Sequence, residues 1–490
     1  MYNIIAQDFI INKLNQYFKA QNLPFYFDEE GICNGLAHVY AEYVLDGKEQ
    51  EFQSLMNAIA GGKISNRALV DEVNLFATKI LLTFVPQAYD KQLSQATAIQ
   101  ALRKSVVSSI NFGMVLEDKS WIAVFKELAL QENIPDGQYA SSVEFAKDSN
   151  EVMIINSIDH TIAVHKKKGK YVIYDPNYLF GFKEFKTESA LVKELHKNVF
   201  TFKDKAMGIR IHIVRNTKFM RDTKLLYQKY LNPENINNVA TINKATTNTL
   251  SLVTQCDDEE SIMYLLDQGA KFDILILFKA IRENHTRVLS KLIPEVCDES
   301  YINSSIIVAL NEGRKEAFDV LLKTERVKNA FQSRFLPTNK PLLIKNALEG
   351  GNPVLFKYIL EQCIHEKTSQ HSFQKAMNRN QNAQEAICAA IKGKNPACLK
   401  LLLQEFQQHT IEITEDVKMH CLMYAIKTNQ MYMCNLLLKT IDPNYIELLM
   451  LSLELIEKTN VFILKDLQTH NVKFWFYFRK RIIFLSIRLE

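Results

Sequence analysis

The feature that most constrains this chain is a register that returns six times in its second half. Small or apolar residues stand at Val253, Ala280, Ala309, Ala347, Ala390 and Ala425, and after each of them two adjacent aliphatics follow at positions +12 and +13. The pairs are Leu265-Leu266, Leu292-Ile293, Leu321-Leu322, Ile359-Leu360, Leu402-Leu403 and Leu437-Leu438. About four positions after each small residue comes a Gly- or Asn-like break, as in "ALNEGRKEAFDVLL" and "ALEGGNPVLFKYIL". The pattern predicts helix-turn-helix units in which the small residue lets neighbours approach and the paired aliphatics fill the groove between them. A chain built this way has to stack its units, because none of them buries its apolar face alone.

The pattern resembles the ankyrin repeat, and "LLDQGAKFD" is similar to the helix end and turn of that unit. The spacings between start positions, 27, 29, 38, 43 and 35 residues, depart from a constant period, and the threonine-proline-leucine-histidine signature is missing. Insertions and irregular loops are therefore expected. A seventh unit around "LLMLSLELIEKTNVFIL" would serve as a cap, with residues 471–490 as a tail or capping helix. The resemblance implies a protein-binding array; the plain alternative is a helical solenoid that only stabilises its neighbour.

The first half follows other rules. Residues 50–135, including "QALRKSVVSSINFGMVLEDKSWIAVFKELALQE", carry apolar side chains at three- and four-residue intervals and are expected to be helical. From about residue 150 the period changes to two, in "EVMIINS", "HTIAVHKKKGKYVIYDPN" and "MGIRIHIVRN". Helices followed by an antiparallel sheet indicate an α+β domain over residues 1–220, a connector over 221–245 and repeats over 246–470. At 490 residues and 47% hydrophobic composition, two or three packed cores are expected. The N-terminus is broken by Asp8 and Lys13 and predicts an amphipathic helix instead of a signal peptide, and no apolar run reaches the length of a membrane span. A net charge of +4 gives no electrostatic footprint for nucleic acid. An RNA-binding reading would rest only on scattered basic stretches such as "RKRIIFLSIR".

Of eight cysteines, seven lie at Cys256 or beyond in apolar, helical contexts, where they are expected to be small buried hydrophobes. Cys363, His365 and His371 are the nearest approach to a metal cluster, without the spacing of a zinc site; no metal or cofactor is expected. Cys33 stands apart. In "GICNGLAHVYAEYVL", Gly31 permits a turn and the segment after it can run as a helix facing Leu36, Tyr40, Tyr43 and Val44 to a core. Cys33 then sits in the first turn, where the helix dipole favours a thiolate. The alternative is a buried core thiol.

A second element bears on that choice. "SIDHTIAVHKKKGKYVIYDPNYLFG" predicts a hairpin with Lys166 to Gly169 as its turn, His160 opening one strand and Asp175 closing the other. Residues equidistant from a turn face one another, so the carboxylate can reach one imidazole nitrogen and leave the other for a thiol. His165, close to the tip, is expected to be solvated. "GICNGLA" followed by a distant strand-opening His and by "YDPNYLFGF" is similar to the YopT/AvrPphB-type cysteine peptidases, over roughly residues 20–215. That resemblance implies a papain-like fold with Cys33 as nucleophile, His160 as general base and then acid, and Asp175 as the group that orients the imidazole. An upstream amide would complete the oxyanion hole. Gln21 and Asn22 are the candidates, while Asp28 occupies the position nearest the motif. Asn177, two residues after Asp175, is a further candidate, to support the triad from behind.

The fold class expected is thus an α+β papain-like cysteine protease-like domain followed by an all-α ankyrin-repeat solenoid. That combination is similar to the ankyrin-repeat effectors that Legionella and related intracellular bacteria deliver into host cells. The resemblance implies secretion into the host cytoplasm or nucleus and a host protein bound by the repeats. The chemistry would be thiol acyl transfer, with peptidase first among hydrolase and transferase alternatives; the competing expectation is a catalytically silent scaffold.

Overall fold

The computed structural model describes residues 4–21, 26–27, 32–62, 64, 66–84, 107–130, 148–215, 223–256, 258–364, 377, 380–428 and 430–442. The chain divides into two compact units, 1–295 and 296–490.

The first unit is organised by a six-stranded antiparallel sheet in the order β1-β6-β2-β3-β4-β5, formed by Val107–Glu117 (β1), Asp148–Asn156 (β2), Thr161–Lys167 (β3), Lys170–Tyr174 (β4), Phe182–Phe185 (β5) and Ala206–Arg215 (β6). Among the described residues, four helices precede it: Gln7–Ala20 (α1), Cys33–Leu45 (α2), Glu49–Ala60 (α3) and Arg67–Phe84 (α4). Their apolar faces, with Phe18, Leu36, Tyr40, Phe52 and Phe76, form one core with Val152, Ile154, Ala163, Tyr174 and Val214 of the sheet. Helix α2 lies against α4 where Gly35 has no side chain, since a Cβ there would stand 2.7 Å from Ile80 Cγ2 and 3.0 Å from the Ile80 carbonyl oxygen.

β1 corrects the helical expectation for residues 50–135. Ile110, Phe112, Met114 and Leu116 are buried on one face and Gly113 and Val115 on the other, so the strand reads as a continuous apolar run and not as a period of two. The strand pairs with β6 from Val107↔Arg215 to Glu117↔Ala206. Helix Asp118–Leu130 (α5) follows and fixes Trp121, whose indole N–H donates to the Met207 carbonyl at 2.8 Å.

Residues 221–245, expected as a connector, carry helix Thr223–Tyr230 and most of a hairpin, Val239–Ile242 with Ala245–Asn248. The hairpin closes on the sheet at Gly208, where a Cβ would meet Thr247, Ala240 and Val115. Besides the register segment from Ala280, this unit takes in the one from Val253. The leading helix of the latter, Thr249–Thr254, packs Leu252 against Gly113, and Thr249 Oγ1 accepts from the Val115 N–H at 3.0 Å. Arg210 and Asn111 donate to the carbonyls of Gln255 and Cys256 at the end of that helix. Three further helices complete the unit: Glu259–Asp267, Ile274–Arg282 and Thr286–Leu292.

The second unit contains helices Glu299–Asn311, Lys315–Lys323, Glu325–Ala330, Leu336–Gly350, Pro353–Ile364, Asn380–Lys392, Pro396–Gln408, Glu415–Lys427 and Met431–Leu438 among the described residues. The register seen in the sequence is carried into the packing of both units. All six small residues, and the first aliphatic of each pair, are buried. The break at position +4 is a left-handed residue wherever it is described: Asn284, Gly313, Gly351 and Lys394, with φ between 57° and 66°. Of the seven later cysteines, Cys297 is exposed and Cys388 half-buried; the other five are buried as expected. The seventh unit and residues 471–490 lie outside the described residues. Among the described residues, no helix is long and apolar enough to cross a membrane.

Candidate active site

Cys33 is the first residue of α2, and no side chain of the described residues caps that helix. Nor does any acidic residue stand in its first turn. The opening N–H groups of the helix are therefore directed at whatever anion forms there. One hairpin has His160 just before its first strand and Asp175 just after its second. Its turn is the two-residue loop Lys168-Gly169, both with positive φ as a primed turn requires, and it is tighter than the expected turn over Lys166 to Gly169. The register runs from Lys167↔Lys170 to Ala163↔Tyr174. Continued by the same step, it sets His160 opposite Asn177; Asp175 reaches the imidazole diagonally.

The structure brings Cys33, His160 and Asp175 together. His160 Nε2 lies 2.7 Å from Asp175 Oδ1, both side chains being buried. This contact leaves Nδ1 to the thiol, with which His160 is hydrogen-bonded. Burial works against a thiolate at Cys33, but the hydrogen bond and charge of His160, with the N–H groups of Thr161 and Asn34, outweigh it and hold the thiol below its ordinary value. For His160 burial likewise opposes the charge, and the contacts with Asp175 and Cys33 outweigh it, raising the imidazole to about 9. The two shifts describe one thiolate–imidazolium pair.

Asn177 adjoins this pair. Its N–H donates to Asp175 Oδ1 at 2.8 Å, and its side-chain nitrogen is 3.4 Å from His160 Nε2. Phe200 lies edge-on to the His160 ring, with centroids 6.2 Å apart. The loop after Asp175 closes on itself through hydrogen bonds from Tyr178 N–H to the Asp175 carbonyl, Gly181 N–H to that of Tyr178, and Asp175 N–H to that of Gly181.

The upstream candidates fare differently. Gln21 is exposed at the C-cap of α1 and makes no hydrogen bond to the triad. Asn22, Asp28 and Gly31 lie outside the described residues. His165, expected to be solvated, is buried: it lies on the inward face of β3, with Tyr40 Oη 3.4 Å from its Nδ1 and Glu49 3.9 Å from its Nε2. The reason is alternation, since Thr161, Ala163 and His165 share the face that α2 covers. One polar group near the site was missed from sequence. Gln7, the first residue of α1, donates from Nε2 to Asn177 Oδ1 at 2.5 Å. Its only sequence signal is its place at the start of an amphipathic helix, which points to no site.

Behind α2 lies a second polar group of residues. His38 is hydrogen-bonded through Nδ1 to the Asn34 carbonyl at 2.7 Å. Burial, aided by Arg210, pushes His38 down to about 4; burial, with His38 and Arg210, takes His212 down to about 3. Neither is charged near neutrality. His365 and His371 lie outside the described residues, and among those described no cluster of three His, Cys, Asp or Glu side chains could hold a metal ion. Compared with known proteins, the chain matches no family model, no curated protein and no solved structure.

Proposed function

We propose that the first unit is a thiol-dependent acyl-transfer enzyme of papain-like organisation, with peptide hydrolysis as its first candidate reaction, and that the repeats bind the protein it acts on. The observation that carries this reading is the convergence of Cys33, His160 and Asp175, with the thiol lowered and the imidazole raised. Cys33 attacks an acyl carbon, and its thiolate needs no prior deprotonation. His160, as imidazolium, protonates the leaving group; as the free base it then activates water or another acceptor against the thioester. Asp175 holds the ring through Nε2 and stabilises its charge. The N–H groups at the start of α2 face the developing oxyanion. Same-face burial at a fixed register is also what ankyrin-type repeats require, and it supports reading the second half as a binding array. Delivery into a host cell, with a host protein as target, remains part of this proposal on the strength of the resemblance alone.

The test is the rate of Cys33 alkylation by iodoacetamide against pH. The wild-type chain is expected to show a reactive thiolate well below the ~8.5 of a free thiol, moving up toward that value in His160→Ala. An unshifted profile in both proteins would leave the catalytically silent scaffold, a reading favoured by the exposure of Gln21 away from the triad.

A further inference from the structure

We propose that Gln7 is a positioning residue for the His160–Asp175 pair, acting through Asn177; the inference rests on the thiol-enzyme reading above. Strand β4 ends at Tyr174, so the loop that carries Asp175 and Asn177 leaves the sheet at Pro176. On its outer side this loop is held by the segment before α1. Ile5 N–H donates to the Leu179 carbonyl at 2.9 Å and Gln7 N–H to that of Pro176 at 2.7 Å. Ile5 also fills the space over Gly181, where a Cβ would stand 2.7 Å from Ile5 Cδ1.

The side chain of Gln7 extends this strap toward the reacting groups. Its amide holds Asn177 at 2.5 Å, Asn177 N–H donates to the same Asp175 oxygen that meets His160, and the Asn177 amide lies 3.4 Å from the imidazole. Gln7 thus anchors the side chain of Asn177, the residue whose backbone N–H meets Asp175. The other end of the Gln7 amide, Oε1, is buried without a partner. A side chain that only filled this space would do better without a polar end, because a buried unsatisfied acceptor is destabilising. The work of Gln7 is accordingly in its Nε2 contact, and loss of that contact frees Asn177, slackens its N–H on Asp175 and loosens the Asp175–His160 contact.

The experiment compares full-length wild type, Gln7→Met, Asn177→Ala and the double variant by Cys33 alkylation against pH, with thermal melting of each. Gln7→Met keeps length and helix propensity and removes the donor. It is expected to melt at or above the wild-type temperature, to raise the pH at which reactive thiolate appears, and to lower the His160 titration from about 9 toward the ordinary range. The rate near pH 6.5 should fall roughly tenfold, within the span measured for coupled neighbours. Asn177→Ala should give the same shifts, and the double variant no more than either. Gln7→Leu, which likewise removes the donor and adds no charge, provides the same reading if the methionine variant does not fold. A wild type with an activated thiol and an unchanged profile in Gln7→Met would overturn this inference alone. A wild type with no activated thiol would overturn the enzyme reading and this inference with it.

Discussion

At the scale of single residues, the site depends on Gly35 as much as on the reacting groups. Helix α2 can carry Cys33 to His160 only because it approaches α4 at Ile80 within the space a methyl group would occupy. Gly35→Ala gains helix propensity but forces the two helices apart, and is expected to destabilise the unit by about 1–3 kcal/mol. Urea unfolding reads that loss. Because the shift carries Cys33 with it, alkylation at pH 6.5 should fall in the folded variant as well; retained reactivity would mean that the helix yields elsewhere. The triad residues were legible from sequence for a definite reason: a short hairpin limits which residues can meet, and Cys33 was the only cysteine in the first half of the chain. What sequence could not give was the exact opposition. Placing the turn at Lys168-Gly169 puts Asn177, not Asp175, across from His160, and so brings Gln7 into play through a contact between residues 170 positions apart. Nor did proximity to the lysine run reveal His165 as buried, since the strand's alternation, and not its charge, decides which way that ring points.

At the scale of elements, the repeats are joined by backbone as well as by side chains. A Cβ on Gly350 would stand 2.0 Å from the Leu310 carbonyl oxygen, and one on Gly393 2.1 Å from that of Leu348. Beside each close approach an asparagine spans to the previous repeat: Asn352 Nδ2 donates to the Gly313 carbonyl at 2.9 Å and Asn395 Nδ2 to that of Gly351 at 2.8 Å. The same asparagines accept from N–H groups of the helices that follow, so each serves as an N-cap and as a tie between repeats. Gly350→Ala is therefore expected to cost about 2–3 kcal/mol, since rigid backbone and not a flexible side chain lies in the way. The check is the urea midpoint of the second unit, with alkylation of Cys33 unchanged. The six-fold register was the most legible feature of the chain because it recurs. β1 was the least, because Gly113 and Val115 are buried on its second face and leave no polar–apolar alternation to read.

At the scale of the molecule, the two units differ in how they answer acid, and the sign follows from the buried imidazoles. His38 at about 4 and His212 at about 3 stand below the ordinary value of 6.5, so on acidification the unfolded chain takes up protons that the folded first unit refuses. Above pH 6.5 neither state carries these protons, and the two histidines leave stability unchanged. Between 6.5 and about 4, each removes about 1.4 kcal/mol per pH unit from the first unit. The second unit buries no histidine among its described residues. The interval from pH 6.5 to 5 lies above the ordinary carboxylate range, and measuring in a Cys33→Ala background removes the lowered thiol from the balance. Scanning calorimetry over that interval is expected to show two transitions, of which only one moves to lower temperature as the pH falls. His38→Gln and His212→Gln should each flatten that movement, and Gly350→Ala should displace the other transition at every pH. If the chain instead melts in one transition that follows both the pH and Gly350→Ala, the units unfold as one. Damage to the repeats would then reach Cys33, and binding and chemistry could not be separated by mutation.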